Sequence, residues 1–181
     1  LILASSVPNL LAYDPAFGFE LTVIVREGIR RMYEQQEDLF YYITLYNENY
    51  THPGLVEADQ TIDDINKDTI EGILRGGYCF ERQFTDPKRP NVHLLASGSI
   101  MQQAITAKEM LADLEINVCL WSITSFIELE RDALDCDRIN RLNPSKDQKV
   151  SYLEEMFCDE SGVFVAVSDY MKSLSSGISR W

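Results

Sequence analysis

The sequence predicts an α/β protein built from two βαβ-containing modules with parallel sheets. Residues 92–96 and 116–123 are nearly continuous apolar runs, and residues 100–114 between them carry helical spacing. Two apolar strands joined by a helix make a parallel βαβ unit, whose strands are buried on both faces. Residues 9–46 repeat the pattern, with apolar runs at 9–13 and 39–46 on either side of an amphipathic stretch. Residues 51–68 depart in composition: Pro53 and Gly54 are followed by a cluster of acids from Glu57 to Asp68. This segment reads as an acidic linker with too little apolar surface to offset its ordering entropy, so two separate sheets are expected on either side of it.

Each element has a local reason. Residues 9–13 can form a short buried strand. Asp14-Pro15 then offers an N-cap followed by a proline at the first helical position, where its missing amide costs nothing. Phe17, Leu21, Val25, Gly28, Ile29 and Met32 recur at helical spacing as the core face, with Glu27, Arg30, Arg31 and Glu34 on the wet side. Gly28 on that stripe predicts a close approach of helix to sheet. Residues 39–46 are rich in aromatic and β-branched types, as a strand requires. Residues 69–82 read as a short helix interrupted by Gly76-Gly77, and 85–90 as a turn.

In the central unit, Ser97-Gly98-Ser99 makes a tight strand-to-helix turn, and Ser99 with Gln102 has capping-box spacing. Met101, Ala104, Ala107, Leu111 and Leu114 share the face that should lie on the sheet. A helix start of this kind can also hold an anion, but one glycine serves the turn itself, and neither the dinucleotide-binding nor the P-loop spacing is present. Ser125 and Glu128 repeat the capping-box spacing, and Phe126, Leu129, Ala133, Cys136 and Ile139 continue as a stripe. Glu128, Glu130 and Asp132 favour the positive end of that helix, which accounts for them without a catalytic role. Residues 150–157 suit a helix or edge segment, 162–167 a third buried strand, and 169–180 the start of another helix.

Composition bounds the function. The chain has 181 residues, 45% hydrophobic and 25% charged, which is ordinary for a globular protein. A net charge of −13 with no Lys/Arg stripe argues against nucleic acid as a partner. No apolar run approaches the roughly 18 residues of a membrane span. The N-terminus has no basic region followed by an apolar one, so no membrane partner is expected and the protein reads as soluble and intracellular. Cys79, Cys119, Cys136 and Cys158 are widely spaced, without a Cys-x-x-Cys, and are read as reduced, packed thiols. The chain opens on apolar residues after Leu1 and ends without a closing element, as the interior of something longer would.

The chemistry-bearing residues are few. His52 lies in the linker and His93 in a predicted strand, neither with a second ligand at metal spacing. Asp64, Asn66 and Asp68 open like a calcium loop, but Thr69 and Arg75 stand where Gly and Glu are needed. No Gly-x-Ser-x-Gly elbow is present. What remains is Asn47-Glu48-Asn49-Tyr50, just past the C-terminal end of a predicted strand, where parallel sheets place ligand-binding groups. Asparagines also favour turns, so a polar loop is the alternative reading.

Runs spread along the chain carry a resemblance. Tyr13-Asp14-Pro15-Ala16-Phe17-Gly18-Phe19-Glu20 and Tyr41-Tyr42-Ile43-Thr44, leading to Asn47-Glu48-Asn49-Tyr50, occur in order with Leu94-Leu95-Ala96-Ser97-Gly98-Ser99-Ile100. Trp121-Ser122-Ile123-Thr124-Ser125-Phe126, Glu128-Leu129, Arg131-Asp132 and Ser168-Asp169-Tyr170-Met171-Lys172 follow. Together they resemble the homodimeric bacterial type of pyruvate dehydrogenase, the decarboxylating component of its complex, in a match that spans nearly the whole chain. The family is similar to transketolases, with three α/β domains that bind thiamine diphosphate at a dimer interface.

The resemblance implies that residues 1–50 end a middle, pyrimidine-binding domain, 51–68 form an acidic linker, and 69–181 belong to a transketolase C-terminal-like domain incomplete at its C-terminus. It implies oxidative decarboxylation of pyruvate with transfer of the acetyl unit to a lipoyl group, in the cytoplasm of a bacterium or alternatively the mitochondrial matrix. Implied partners are a homodimer mate and the acetyltransferase component. Thiamine diphosphate and magnesium are the implied cofactors, but their ligands and the family's catalytic residues lie outside this segment, which lacks a Gly-Asp-Gly motif. No catalytic, cofactor-binding or metal residue is therefore assigned here. Asn47, Glu48 and Asn49 are expected to stand behind the residues that line the substrate channel. The family follows Asn-Glu-Asn-Tyr with His-Met-Pro, whereas Thr51-His52-Pro53 stands here, and the acidic linker is longer than usual. The 181 residues alone are expected to be inactive. A different reading is a degenerate, non-catalytic relative that serves as a structural or interaction subunit of a larger assembly.

Overall fold

The computed structural model describes residues 1–52 and 65–181. Strands β1 (Leu10–Tyr13) and β2 (Phe40–Ile43) run parallel on either side of helix α1 (Gly18–Ile29), with Leu10 opposite Phe40 and Tyr13 opposite Ile43. This is the βαβ unit expected over 9–46, but its helix differs in start and in facing. Asp14 and Pro15 stay outside the helix, which opens at Gly18. The carboxylate of Glu20 replaces the expected Asp14 cap, accepting from the N–H groups of Ala16 at 2.6 Å and Phe17 at 3.1 Å. The buried face is Glu20, Val23, Ile24 and Gly28, so Val25 and Ile29, expected on the core side, are exposed. A carboxylate with enough donors can be buried, and its burial rotates the helix away from the apolar stripe. Gly28 does meet the sheet as expected: a Cβ there would stand 3.2 Å from the Tyr41 ring. The helix ends in a π-helical turn, Arg30–Glu34.

The second sheet has four strands in the order β3-β5-β4-β6, formed by β3 (Tyr78–Gln83), β4 (Asn91–Ala96), β5 (Asn117–Ser122) and β6 (Val163–Val167). β4 is parallel to both β5 and β6, as the central βαβ unit requires, with α3 (Met101–Asp113) as its crossover. β3 runs antiparallel to β5 and corrects two expectations at once, an all-parallel sheet and a helix over 69–82. The helix there, α2 (Lys67–Arg75), stops at Gly76, and Tyr78-Cys79-Phe80 then enters the sheet, where aromatic residues pack better than on a helix. β6 forms where a strand was expected, but Val163, Phe164 and Val165 are exposed. It is one of the two edge strands, and the described residues give it no cover like that of the fully buried β5.

Ser99 does not cap α3. A 3-10 turn, Gly98–Ile100, precedes the helix, and Ser99 Oγ donates instead to Asp169 at 3.1 Å. Met101 and Ala104 are buried as expected, whereas Leu114 is exposed and Lys108 is buried through an ion pair with Glu81 at 2.5 Å. Helix α4 (Phe126–Leu142) starts as expected, with Ser125 Oγ accepting from the Glu128 N–H at 3.0 Å. The Glu128 carboxylate turns to Arg131 rather than closing the box. α5 (Tyr152–Phe157) begins with a complete capping box between Ser151 and Glu154, and α6 (Lys172–Ser176) is shorter than the 169–180 stretch suggested.

The two sheets are separate, yet their cores are not. A two-stranded sheet cannot shelter its own apolar surface. Leu10 and Ala12 pack with Leu95, Trp121, Phe126 and Leu153 on one face of the larger sheet, while Ala16 and Phe17 pack with Leu94, Met101 and Leu120 on the other. A third cluster joins Tyr13, Val23 and Ile24 to Ile65, Ile73 and Tyr78. Ile65 belongs to the expected linker, so the end of that segment does join a core, and Asn66 beyond it caps α2. Residues 53–64 of the linker, with Asp64 of the rejected calcium loop, lie outside the described residues, and its last two, Lys67 and Asp68, already belong to α2.

Candidate functional site

The C-terminal ends of the parallel strands of both sheets meet around Asp14, the residue that follows β1. Asp14 N–H donates to Thr124 O beyond β5 at 2.7 Å, and Gly98 N–H beyond β4 donates to Asp14 O at 3.1 Å. Asp14 Oδ1 accepts from two hydroxyls that follow β2, Thr44 Oγ1 at 2.5 Å and Tyr46 at 2.9 Å. Tyr46 is 3.3 Å from the Tyr170 hydroxyl beyond β6. Strand ends of this kind are where α/β sheets hold ligands, because side chains and freed backbone groups converge there.

The carboxyl of Asp14 is buried, and burial raises its pKa, with Thr44, Ser97 and Tyr46 drawing it back and Asp169 adding to the rise. Its Oδ2 and the neighbouring Ser97 Oγ are buried oxygens without a hydrogen-bond partner among the described residues. Gly98 sits at φ +54°, and a Cβ there would stand 2.6 Å from the Tyr46 ring and 2.8 Å from Asp14 Oδ2, so no other residue fits this turn without displacing the cluster. Sequence reasoning took Asp14 for a helix cap. The available signal was its position as the first polar residue after a buried strand.

A second carboxylate joins the two sheets nearby. Glu20 is fully buried; besides the two amides, its Oε1 accepts from Ser122 Oγ at 2.6 Å and from the Tyr78 hydroxyl at 2.8 Å. Desolvation raises its pKa and these hydrogen bonds oppose the rise. With each oxygen accepting two hydrogen bonds, one pair from the turn before α1 and one pair from β3 and β5, Glu20 is a positioning group rather than a free acid.

The loop after β2 carries the residues singled out in the sequence. Asn47, Glu48 and Asn49 are all exposed. Glu48 lines a cleft of about 200 Å³ with Pro15, Tyr46, Tyr50 and His52, whereas Asn47 and Asn49 are not in its wall. The loop is tied down by its two rings. Tyr50 donates to Ala16 O at 2.6 Å, and His52 Nδ1 accepts from Gly18 N–H at 3.2 Å while its ring lies 4.8 Å from that of Tyr50. These bonds hold His52 as an anchor for the start of α1. His93, also raised by the sequence, is a packed strand residue as expected. It is fully buried, accepts from Trp121 Nε1–H at 3.2 Å and stacks on Phe164.

The cofactor implied by the resemblance carries two phosphates and a divalent ion, and the residues present do not fit that end of it. Among the described residues, no Lys or Arg lines the cleft beside Glu48. Among the described residues no three His, Cys, Asp or Glu side chains stand together as metal ligands. No chemical step is therefore derived through the cofactor from this chain. The arrangement presents the wall of a pocket and the buried polar groups that fix it.

Residues 1–53 match the family model described as the pyruvate dehydrogenase E1 component middle domain, and residues 76–180 that of the transketolase-like TK C-terminal domain. The chain is 40% identical over 181 residues to the pyruvate dehydrogenase E1 component of Pseudomonas aeruginosa, covering 99% of this chain and 19% of that protein. Identity is also 40% over 169 residues to that of Escherichia coli K12, covering 92% and 18%, and 33% over 183 residues to that of Mycolicibacterium smegmatis, covering 100% and 19%. The chain thus spans less than a fifth of the length of the curated relatives it matches. Among solved structures, transketolase from Leishmania mexicana has a TM-score of 0.53 at 18% identity, over 95% of this chain and 20% of that one. A split-gene transketolase described as an inactive beta4 tetramer has a TM-score of 0.50 at 15% identity, over 99% and 59%. At these identities the structures speak to the fold alone.

Proposed function

The chain belongs to the pyruvate dehydrogenase E1 family of transketolase-like proteins, and on that premise we propose that it works as part of a thiamine diphosphate-dependent subunit that decarboxylates pyruvate. The subunit passes the acetyl unit to a lipoyl group on an acetyltransferase partner and acts as a homodimer in the cytoplasm of a bacterium. Residues 1–50 end its middle domain, 51–68 form a linker, and 69–181 form a transketolase C-terminal-like domain. The cofactor, when bound, supplies the carbanion chemistry, and its magnesium and diphosphate ligands lie outside these 181 residues. The observation that carries this reading is the 40% identity to a pyruvate dehydrogenase E1 component along essentially the whole chain.

The chain's own contribution is positioning. Glu20 through its side chain and Asp14 through its backbone cross-link the two sheets, and Tyr50 and His52 hold the loop that presents Glu48 to the cleft. A pocket wall held in this way keeps its geometry through turnover, which substrate orientation requires. Asn47 and Asn49, exposed beside Glu48, act on the channel through the same loop.

The test compares the intact protein with the 181-residue chain, using carbon dioxide release from pyruvate and calorimetric titration with thiamine diphosphate and magnesium. The intact protein should turn over pyruvate, and the 181 residues should do neither. Micromolar cofactor binding or measurable turnover by the 181 residues would overturn the division of labour. An intact protein inert toward pyruvate but active on another 2-oxo acid or a ketose would overturn the assigned substrate.

A further inference from the structure

The four cysteines are widely spaced in the sequence, and the fold brings two of them into contact. Cys79 lies in β3 and Cys119 in β5, neighbouring antiparallel strands. The register slips between Cys79 and Glu81, which leaves Phe80 as the extra residue of a bulge. Cys79 then opposes Trp121, with Cys119 two residues along on the same face. Their Sγ atoms are 3.2 Å apart, and both thiols are free. A disulfide needs about 2.05 Å, so closing the pair asks for a movement of little more than one ångström, which a bulged edge strand can supply. This is the only sulfur–sulfur contact of the chain among the described residues: Cys136 donates to Val150 O, and Cys158 is exposed.

The two thiols are not equivalent. Cys119 is fully buried and Cys79 is partly exposed, so a solute reaches Cys79 first. Cys79 also has the better thiolate. Contact with the Cys119 thiol, and secondarily the Arg82 guanidinium, lowers its pKa to about 7, while the same contact raises that of Cys119. An accessible thiolate backed by a second thiol in contact is the arrangement in which one sulfur is oxidised and the other resolves it.

We propose that Cys79 and Cys119 form an oxidisable dithiol, a modification site whose reactant is a hydroperoxide and whose product is a disulfide that small thiols reopen. The Cys79 thiolate attacks the peroxide oxygen, the O–O bond breaks, and the leaving alkoxide or hydroxide takes a proton from solvent. Cys79 is then a sulfenic acid. The Cys119 sulfur attacks Cys79 Sγ, the S–O bond breaks, and hydroxide leaves as water with the Cys119 proton. Two thiols have lost two electrons and two protons to one hydroperoxide, which ends as an alcohol or water together with one further water. Reduction runs by exchange with two equivalents of an external thiol. The site goes beyond the proposed decarboxylation and rests on none of its residues.

The test treats the intact protein with excess hydrogen peroxide, quenches with an alkylating agent, and measures mass and thiol count. The expected result is a peptide link joining Cys79 to Cys119 that is about 2 Da lighter than the two reduced peptides together, with Cys136 and Cys158 still open to alkylation, and recovery of the Cys79 and Cys119 thiols with dithiothreitol. Cys119→Ser should abolish the link and leave a sulfenic acid at Cys79 that dimedone captures; the measurement on the unsubstituted protein stands whether or not this variant folds. An unchanged mass, addition of oxygen to Cys79 without a link, or a link made instead through Cys158 would each overturn the proposal.

Discussion

Replacing Glu20 by Ala tests the central structural claim, that a buried carboxylate holds the two sheets together. The side chain is fully buried and accepts four hydrogen bonds, from the amides of Ala16 and Phe17 and from the hydroxyls of Tyr78 and Ser122. The hydroxyls can turn toward other acceptors, but the two amides are fixed by the backbone. An unsatisfied buried donor costs about 1–3 kcal/mol, so the amides alone give a loss of about 2–6 kcal/mol, to which the cavity adds. Against a typical total of about 5–15 kcal/mol, that is a large share of the stability. Glu20→Gln is the control. Its carbonyl can serve the amides, its NH2 can donate to the two hydroxyl oxygens, and it removes a charge that burial disfavours, so its stability should lie within about 1 kcal/mol of the parent.

The assay is urea unfolding, with the change read in the midpoint at constant slope. It also carries a pH signature. Desolvation raises the Glu20 pKa above its ordinary 4.5, so the native state holds this proton more tightly than the unfolded chain does. That contribution is fully present below the ordinary value and is lost as the pH rises through the raised one. Stability relative to Glu20→Gln should therefore shift in favour of Glu20 as the pH falls from about 8 to about 5. An Ala variant within about 0.5 kcal/mol of the parent, or a Glu–Gln difference that is flat with pH, would refute the reasoning.

Three further outcomes follow from the same geometry. Gly98→Ala forces a Cβ into Tyr46 and Asp14 at φ +54° and should cost about 1–3 kcal/mol, read as a drop in thermal midpoint; an unchanged midpoint would mean that the turn relaxes freely. Ser125→Ala loses both the cap on the Glu128 N–H and the hydroxyl's bond to Ala12 O, and a loss of about 1–2 kcal/mol is expected in the same unfolding assay. Glu48→Ala in the intact enzyme should lower kcat/KM for pyruvate by about fivefold, close to 1 kcal/mol, with unchanged thermal stability because the side chain is exposed. Identical kinetics would remove Glu48 from the channel.

Much of the fold was legible in the chain because it depends on near neighbours. Apolar runs marked β1, β4, β5 and β6; Ser125 stands at a helix start where a hydroxyl can reach a free amide; and the resemblance carried by runs such as Trp121–Phe126 pointed to the family. Each of these signals lies within a few residues of its effect. What the chain could not reveal depended on groups far apart in sequence. The stripe on α1 was read as Leu21, Val25 and Ile29, but the helix turned to bury Glu20, whose partners Tyr78 and Ser122 lie 58 and 102 residues away. β3 was missed because two glycines and an aromatic run fit a broken helix until β5 supplied a partner strand. The same pairing brought Cys79 against Cys119, 40 residues apart. Asn47, Glu48 and Asn49 were picked out by their place after a strand, but only the folded loop, held by Tyr50 and His52, put Glu48 in the cleft wall and left the asparagines outside it. Local periodicity decides which segments become strands and helices; the burial of a polar side chain is decided by donors that only tertiary structure brings within 3 Å, and a sequence alone has no record of that distance.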